Sequence, residues 1–228
     1  MTFSDAHEKQ VAAFISLMMD SGVLTFGDFV GKSGRRMPYF VNAGKYRTGD
    51  QISALGSFYA DAIIDTFGDG VTCLFGPAYK GIPLVTATAI AMAKKGAPVS
   101  FCFDRKEAKD HGEGGVLVGH MPDANDQIVI VEDVTTAGTS IRQTLPLLHA
   151  TGATVRGLVV GVDRQERGSG TRSALAELAD EFEIVTRALC TIDDIVYTLT
   201  RPDTASDQKL THDDLLRIEA YRAEYGAR

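Results

Sequence analysis

The chain has 228 residues, 44% of them hydrophobic, which is enough to bury a core and too apolar for a disordered polypeptide. Lys and Arg number 23 against 30 Asp and Glu, a net charge of −7 that argues against a broad nucleic-acid or anionic-membrane surface and confines any basic site to a local patch. Cys73, Cys102 and Cys190 are odd in number and widely spaced, so they suggest neither a disulfide framework nor a cysteine-based metal site and read as reduced and mostly buried.

In chain order, the polar first ten residues lack the apolar segment of a signal peptide, and no stretch approaches the roughly eighteen apolar residues of a membrane span. A cytosolic protein with no membrane partner is expected. Residues 11–20 carry Val11, Phe14, Ile15, Met18 and Met19 on one broad face, the pattern of an amphipathic helix ending near Gly22. Residues 24–30 and 39–41 read as two short strands around a basic, Gly-bearing turn. Helical spacing returns over residues 50–67, with Ile52, Leu55, Tyr59, Ile63 and Phe67.

After Gly70 the rhythm becomes regular. Strands are predicted at 71–75, 99–103, 128–131, 158–162 and 184–189, with helices at 81–95, 140–150 and 171–182 between most of them. That alternation implies βαβ units and an α/β sheet, followed by two closing helices at 191–199 and 211–225. One interval breaks the pattern. Residues 104–125 hold no helical signal but a long polar, Gly-bearing stretch, functional or disordered rather than a tight connection, in which residues 115–119 can form one arm of a hairpin.

The most informative stretch is Ile128-Val129-Ile130-Val131-Glu132-Asp133-Val134-Thr135-Thr136-Ala137-Gly138-Thr139-Ser140. Four β-branched residues without alternation describe a strand covered on both faces, hence a central strand of a parallel sheet. Ligands bind beyond the carboxyl ends of such strands. There, small residues 135–139 let backbone N–H groups approach an anion, and the N-terminus of the following helix favours negative charge, so the loop reads as a cradle for one phosphate. Glu132 and Asp133 would repel a phosphate beside them but suit ribose hydroxyls or a metal shell, which points to a sugar phosphate. The plainer reading is a buried strand that ends in a helix cap.

A second strand-to-helix turn, Phe75-Gly76-Pro77-Ala78-Tyr79-Lys80-Gly81, repeats the logic. Gly76 and Gly81 permit unusual backbone angles, and backbone amides with Lys80 would offer a second anion site; alternatively Lys80 is merely solvated. Two anion loops on one sheet edge suggest a ligand with two separated phosphate groups. In the polar interval, Asp104-Arg105-Lys106-Glu107-Ala108-Lys109-Asp110-His111-Gly112-Glu113-Gly114-Gly115 nearly cancels its own charge and reads as a solvated loop, although its cations, His111 and glycine hinge also suit a lid.

The 128–140 stretch resembles the phosphoribosyl-pyrophosphate (PRPP) motif of type I phosphoribosyltransferases. Together with Lys32-Ser33-Gly34-Arg35, Pro38-Tyr39-Phe40, residues 75–81, residues 105–115 and Asp163-Arg164-Gln165-Glu166-Arg167-Gly168, it is similar, in order and across most of the chain, to the orotate phosphoribosyltransferase family. The resemblance implies a parallel sheet flanked by helices, an N-terminal hood over about residues 1–45, a flexible catalytic loop over 104–119, and one domain spanning 1–228. It also implies a homodimer whose loop acts on the neighbour's site, with PRPP, orotate and Mg²⁺ as ligands and no nucleic-acid partner.

By the same resemblance, Lys80, Lys109, His111 and Asp133 are expected to be catalytic. Lys80, with Arg105, Lys106, Lys109 and His111, would lie on the pyrophosphate. Glu132 and Asp133 would hold the ribose 2- and 3-hydroxyls, and Thr135, Thr136, Ala137, Gly138, Thr139 and Ser140 the 5-phosphate. Lys32, Tyr79 and Val134 complete the implied PRPP set. Arg164 is the implied partner of the orotate carboxylate, with Lys32, Phe40, Val41 and Thr136 also on the base side; the plain alternative for Arg164 is a surface ion pair with Glu166. Mg²⁺ would be held mainly by substrate oxygens and water. Glu132 departs from the more frequent Asp and Val41 from an aromatic, neither of which removes the expected contact. His7, His120, His149 and His212 read as surface or packing residues, and Arg35 and Arg36 as solvated or as interface contacts.

Three rivals remain at this level. A purine phosphoribosyltransferase would share the PRPP motif but lack the basic loop; an RNA-binding PRPP sensor would need a basic face; and a partner domain of a bifunctional enzyme would call for a decarboxylase-sized extension, which is not expected for this chain.

Overall fold

The computed structural model describes residues 5–31, 34–109, 115–135, 138–201 and 209–227. In chain order these form α1 (Asp5–Asp20), β1 (Leu24–Val30), β2 (Arg36–Val41), α2 (Gly49–Phe67), β3 (Cys73–Gly76), α3 (Gly81–Lys94), β4 (Ser100–Lys109) and β5 (Gly115–Gly119). Then follow β6 (Gln127–Val134), α4 (Thr139–His149), β7 (Thr154–Asp163), α5 (Ala174–Phe182), β8 (Val185–Thr191), α6 (Ile192–Thr200) and α7 (His212–Tyr225).

Local chemistry sets the boundaries. At the end of α1, Gly22 takes φ +66°, its N–H reaches the Met19 carbonyl and Val23 N–H reaches that of Met18, the paired bonds that close a helix on a left-handed glycine. At the start of α2, the Thr48 side chain accepts from Gln51 N–H while the Gln51 side chain reaches back to the Thr48 backbone.

The main sheet runs β5-β4-β3-β6-β7-β8, with every pairing parallel except the antiparallel β4–β5 edge. The expected α/β architecture is present, and β6 lies inside it with strands on both sides. Its residues explain why no alternation was visible: Val129 and Val131 face one buried cluster, with α1, α2, α3 and α6, while Ile128 and Ile130 face the other, with α4 and α5. All four are fully buried, each side chain contributing about 1.5–3 kcal/mol over an exposed one. The sheet therefore gives β6 a stiff base, and its carboxyl end must project where β3 and β7 also end.

One expectation needs adjustment. The strand placed at 99–103 continues to Lys109, because β5 pairs with it antiparallel, Asp104 opposite Leu117 and Lys109 opposite Gly115. The basic stretch thus begins as a hairpin arm, polar because it runs past the core. Gly76 and Gly81 do not take left-handed angles. They are small because they touch: a Cβ on Gly76 would stand 2.2 Å from the Gly81 carbonyl oxygen, and one on Gly81 2.5 Å from the Gly76 carbonyl carbon.

β1 and β2 form a separate antiparallel pair, with Leu24 opposite Val41. Tyr39 on β2 packs edge-on against Tyr221 of α7, ring centroids 6.1 Å apart, so the last helix braces the first hairpin. Cys73, Cys102 and Cys190 are buried free thiols, as expected. No helix among the described residues is long and apolar enough to cross a membrane.

Candidate active site

The parallel β3 and β6 bring together two residues 53 apart in sequence. Lys80 Nζ, just after β3, lies 2.8 Å from Asp133 Oδ2, near the end of β6. The turn that carries Lys80 is tied down on its other side, since Ala78 N–H donates to Asp104 Oδ1 of β4 at 2.5 Å. The ends of β3 and β6 and the middle of β4 are thereby fastened together. A cavity of about 430 Å³ opens beside the ion pair, with Lys80, Asp133, Val134, Val41, Tyr46 and Tyr59 in its wall. It is mostly apolar, and the charged pair sits at its polar end.

The two carboxylates part company. Asp133 faces the cavity. Glu132 does not line it: its Oε1 accepts the Asp133 N–H at 3.1 Å and its Oε2 lies 3.5 Å from Ser140 Oγ, across the loop. Glu132 therefore spans the two ends of the expected phosphate loop. Burial, and secondarily the Asp133 charge, push its carboxyl up to about 8, well above the ordinary carboxylate range. Its carbonyl accepts the hydroxyl of the fully buried Tyr59 at 2.7 Å, which pins β6 to α2.

Beyond Val134 the chain reaches α4 through Thr135 and Gly138; Thr136 and Ala137 lie outside the described residues. Gly138 has φ +71° at the N-cap of α4 and offers no side-chain cap, so the first N–H groups of α4, from Thr139 and Ser140 onward, are left for a ligand. Tyr79 is 72% exposed beside this edge. On β4, Arg105 Nη1 is buried with no hydrogen-bond partner among the described residues. Lys106 and Lys109 belong to the same strand, but their side chains, with His111 and Lys32, lie outside the described residues.

The surroundings of Arg164 are built differently. Arg164 follows β7 directly and is held by the nearby Glu166 through an ion pair and by two side chains from distant segments, the Tyr221 hydroxyl at 3.2 Å and Met37 Sδ at 3.1 Å. Its guanidinium lies 5.4 Å from the Tyr39 ring centroid. The pair with Glu166 is real but not superficial, with 12% and 8% of the two side chains exposed. Arg164 does not line the 430 Å³ cavity. β2 connects the two places: Met37, Tyr39 and Val41 alternate onto one face, from the guanidinium to the cavity wall. Phe40, on the opposite face, is 39% exposed and stacks on Phe29, centroids 5.6 Å apart.

Residues 43–186 match the family model described as "Phosphoribosyl transferase domain". The chain is 47% identical over 225 residues to the orotate phosphoribosyltransferase of Clostridium beijerinckii, covering 98% of this chain and 99% of that one. The chain belongs to the orotate phosphoribosyltransferase family of pentosyltransferases. It is also 45% identical over 215 residues to the Cronobacter sakazakii orotate phosphoribosyltransferase, covering 93% of this chain and 96% of that one. The crystal structure of the Francisella tularensis orotate phosphoribosyltransferase superposes with a TM-score of 0.80 at 34% identity, over 94% of this chain and all of that one.

Within this orotate phosphoribosyltransferase fold, sequence reasoning passed over Tyr59, Asp104 and Tyr221. Tyr59 had a visible signal, a tyrosine on the apolar face of a helix, whose hydroxyl needs a buried partner. Asp104 and Tyr221 had none, because their partners Ala78 and Glu166 lie 26 and 55 residues away. Arg35, read as solvated or as an interface contact, is half-buried and pairs with Glu166 at 3.3 Å; Arg36 is exposed and pairs with Asp28 at 3.3 Å. His120 pairs with Asp126 at 2.8 Å, a packing role on the far side of the sheet edge.

Proposed function

We propose that this protein transfers the 5-phosphoribosyl group of PRPP to orotate, giving orotidine 5′-monophosphate and pyrophosphate in pyrimidine nucleotide biosynthesis. The observation that carries the reading is the Lys80–Asp133 pair at the carboxyl edge of the sheet, ahead of an uncapped helix N-terminus. It supplies a cation, an acceptor of hydroxyls and an anion cradle at successive positions, which is the order of charges along PRPP. The orotate phosphoribosyltransferases that match nearly the whole length support the same substrates.

The difficult step breaks the bond between ribose C1 and pyrophosphate while positive charge builds on the sugar and negative charge on the leaving group. Cations aimed at pyrophosphate then matter most, and removing one well-placed stabilising group typically costs roughly 2.7–4 kcal/mol. Lys80 is half-exposed on a short turn, so it can leave Asp133 for the pyrophosphate as Asp133 turns to the ribose hydroxyls. The α4 N-terminus with Thr135, Thr136, Ala137, Gly138, Thr139 and Ser140 receives the 5-phosphate. Tyr79, Val134 and Lys32 complete the PRPP contacts, and Glu132 shapes the loop. Arg105, Lys106, Lys109 and His111 arrive with the 104–119 loop, which closes over the site and keeps water from hydrolysing PRPP. Arg164 takes the orotate carboxylate, assisted by Lys32, Phe40, Val41 and Thr136; no covalent nucleophile is needed.

Mg²⁺ fits this donor set in one way. Asp133 offers a hard oxygen donor at the sheet edge, and the ion would be held mostly by substrate oxygens and water. Bound there, it would neutralise pyrophosphate charge. The active unit is proposed to be a cytoplasmic homodimer in which the whole chain forms one catalytic domain, residues 1–45 act as hood, and the loop works in the neighbour's site. The deciding test is loss of orotate absorbance on adding PRPP and Mg²⁺, with hypoxanthine and uracil in parallel. Consumption of orotate alone is expected; turnover of hypoxanthine instead, or of no base, would reject the assignment.

A further inference from the structure

Arg164 is not free to greet a substrate from an ordinary surface position. Glu166 pairs with it, the Tyr221 hydroxyl donates to Glu166 Oε1 at 2.8 Å, and Arg35 reaches the other oxygen, Oε2, at 3.3 Å. Arg35 in turn lies over the Tyr225 ring, 4.1 Å from its centroid. Glu166 itself cannot drift, because its segment is bonded to the end of the chain: Arg167 N–H donates to the Tyr225 carbonyl at 2.9 Å and Ala227 N–H to the Gln165 carbonyl at 2.8 Å. The last helix and the residues after it thus hold one carboxylate between two guanidinium groups.

One feature marks this cluster as unfinished. Arg164 and Glu166 are nearly buried, and the phenols of Tyr39 and Tyr221 stay protonated because burial pushes both upward. Yet Arg164 Nε is buried with no hydrogen-bond partner among the described residues, a costly state unless something accepts from it. A ligand bearing a carboxylate would accept from this donor.

We propose that Glu166, Tyr221 and Arg35 form a positioning clamp that presents Arg164 to the orotate carboxylate, making the C-terminal helix part of base recognition. The proposal rests on the assignment of Arg164 to orotate made above. Glu166 fixes the plane of the guanidinium and absorbs one of the two positive charges. Tyr221 orients Glu166, and Arg35 ties the β1–β2 turn to the same carboxylate. Arg164 is the group that touches substrate; the other three act through it.

A double-mutant cycle tests this with the full-length enzyme, by steady-state kinetics with orotate and PRPP varied separately. Tyr221→Phe keeps the ring packing and is expected to raise the orotate KM about three- to tenfold, with the PRPP KM and kcat within about twofold of the parent. In an Arg164→Ala background the same change is expected to add less than about twofold, since its only route to orotate has been removed. Glu166→Gln, expected to raise the orotate KM at least as much, supplies an independent cycle should Tyr221→Phe fail to fold. Unchanged orotate KM in both single variants, equal losses for both substrates, or fully multiplicative effects with Arg164→Ala would overturn the clamp. A normal orotate KM for Arg164→Ala alone would instead overturn the role of Arg164, and the clamp with it.

Discussion

The sheet edge at Lys80 and Asp133 and the base-side cluster at Arg164 solve the same problem, holding charge still, by opposite means. At the edge, backbone does the holding: β6 is clamped between β3 and β7, and the site residues are whatever follows the strands. Around Arg164, side chains from β2, α7 and the segment after β7 converge, and the position exists only when all of them are folded. The first arrangement tolerates substitution of its neighbours, because ladder hydrogen bonds do not depend on side-chain identity. The second does not. Removing one member of a largely buried charge cluster leaves the others uncompensated.

That contrast is sharpest for substitutions that leave the scaffold intact. Asp133→Asn is nearly isosteric, and its ion pair with half-exposed Lys80 adds little stability, by the usual worth of such pairs roughly 0–1 kcal/mol. Turnover should nonetheless fall about a hundred- to a thousandfold, the loss typical of one well-aimed polar group at the reacting centre. Kinetics beside a thermal melt would check it. A variant that melts early yet turns over normally would mean that Asp133 belongs to the scaffold and that the edge is not the reacting centre.

The same contrast explains what was legible in the sequence. Residues 128–140 announced strand, turn and helix start because every contact that shapes them is either local or a repeating ladder. The α/β order and the identity of β6 as an interior strand followed directly. Arg164 and its pairing with Glu166 were visible in the sequence, but the rest of the cluster was not, since Arg35 and Glu166 lie 131 residues apart and Tyr221 another 55 beyond Glu166. Charge counting along the chain sees those residues as solvated. The contacts of Glu132 with Asp133 N–H and Ser140 Oγ were not legible for a smaller reason: adjacency to Asp133 suggested a shared direction, whereas successive residues of a strand point to opposite faces.

A pH experiment separates the two adjacent acids. Folding raises the Glu132 carboxyl from an ordinary 4.5 to about 8, so the native state holds this proton more tightly than the unfolded chain. Its contribution to stability is therefore complete below about pH 4.5 and is lost as pH rises toward and through 8, by up to roughly 1 kcal/mol per pH unit. The groups facing it are Asp133, Lys80 and the Tyr59 hydroxyl on its carbonyl, and none of them removes that burial. Melting temperature measured from pH 6 to 9 should decline in the parent protein and decline less in Glu132→Gln. Parallel curves would show that Glu132 is ionised in the native state and that the loop is held some other way.

Gly138→Ala tests whether the phosphate end depends on backbone alone. At φ +71° an L-residue is strained by about 1 kcal/mol, which for a chain of this size lowers the melting temperature roughly 2–4 °C. The new Cβ would also meet Arg142 Nη1 at 2.9 Å and the Leu178 methyls at 3.1 Å. Arg142 Nη1 ends a flexible side chain and can swing aside at the expense of its pair with Glu181, but Leu178 is fully buried on α5, so the start of α4 has to shift. Calorimetric titration should then show PRPP binding weakened severalfold, because the α4 N–H groups shift, while orotate binding, which we assign to the Arg164 cluster, should stay near the parent value. Equal weakening of both ligands would mean that the two regions move together, and that the backbone-held edge and the side-chain-held cluster are one mechanical unit.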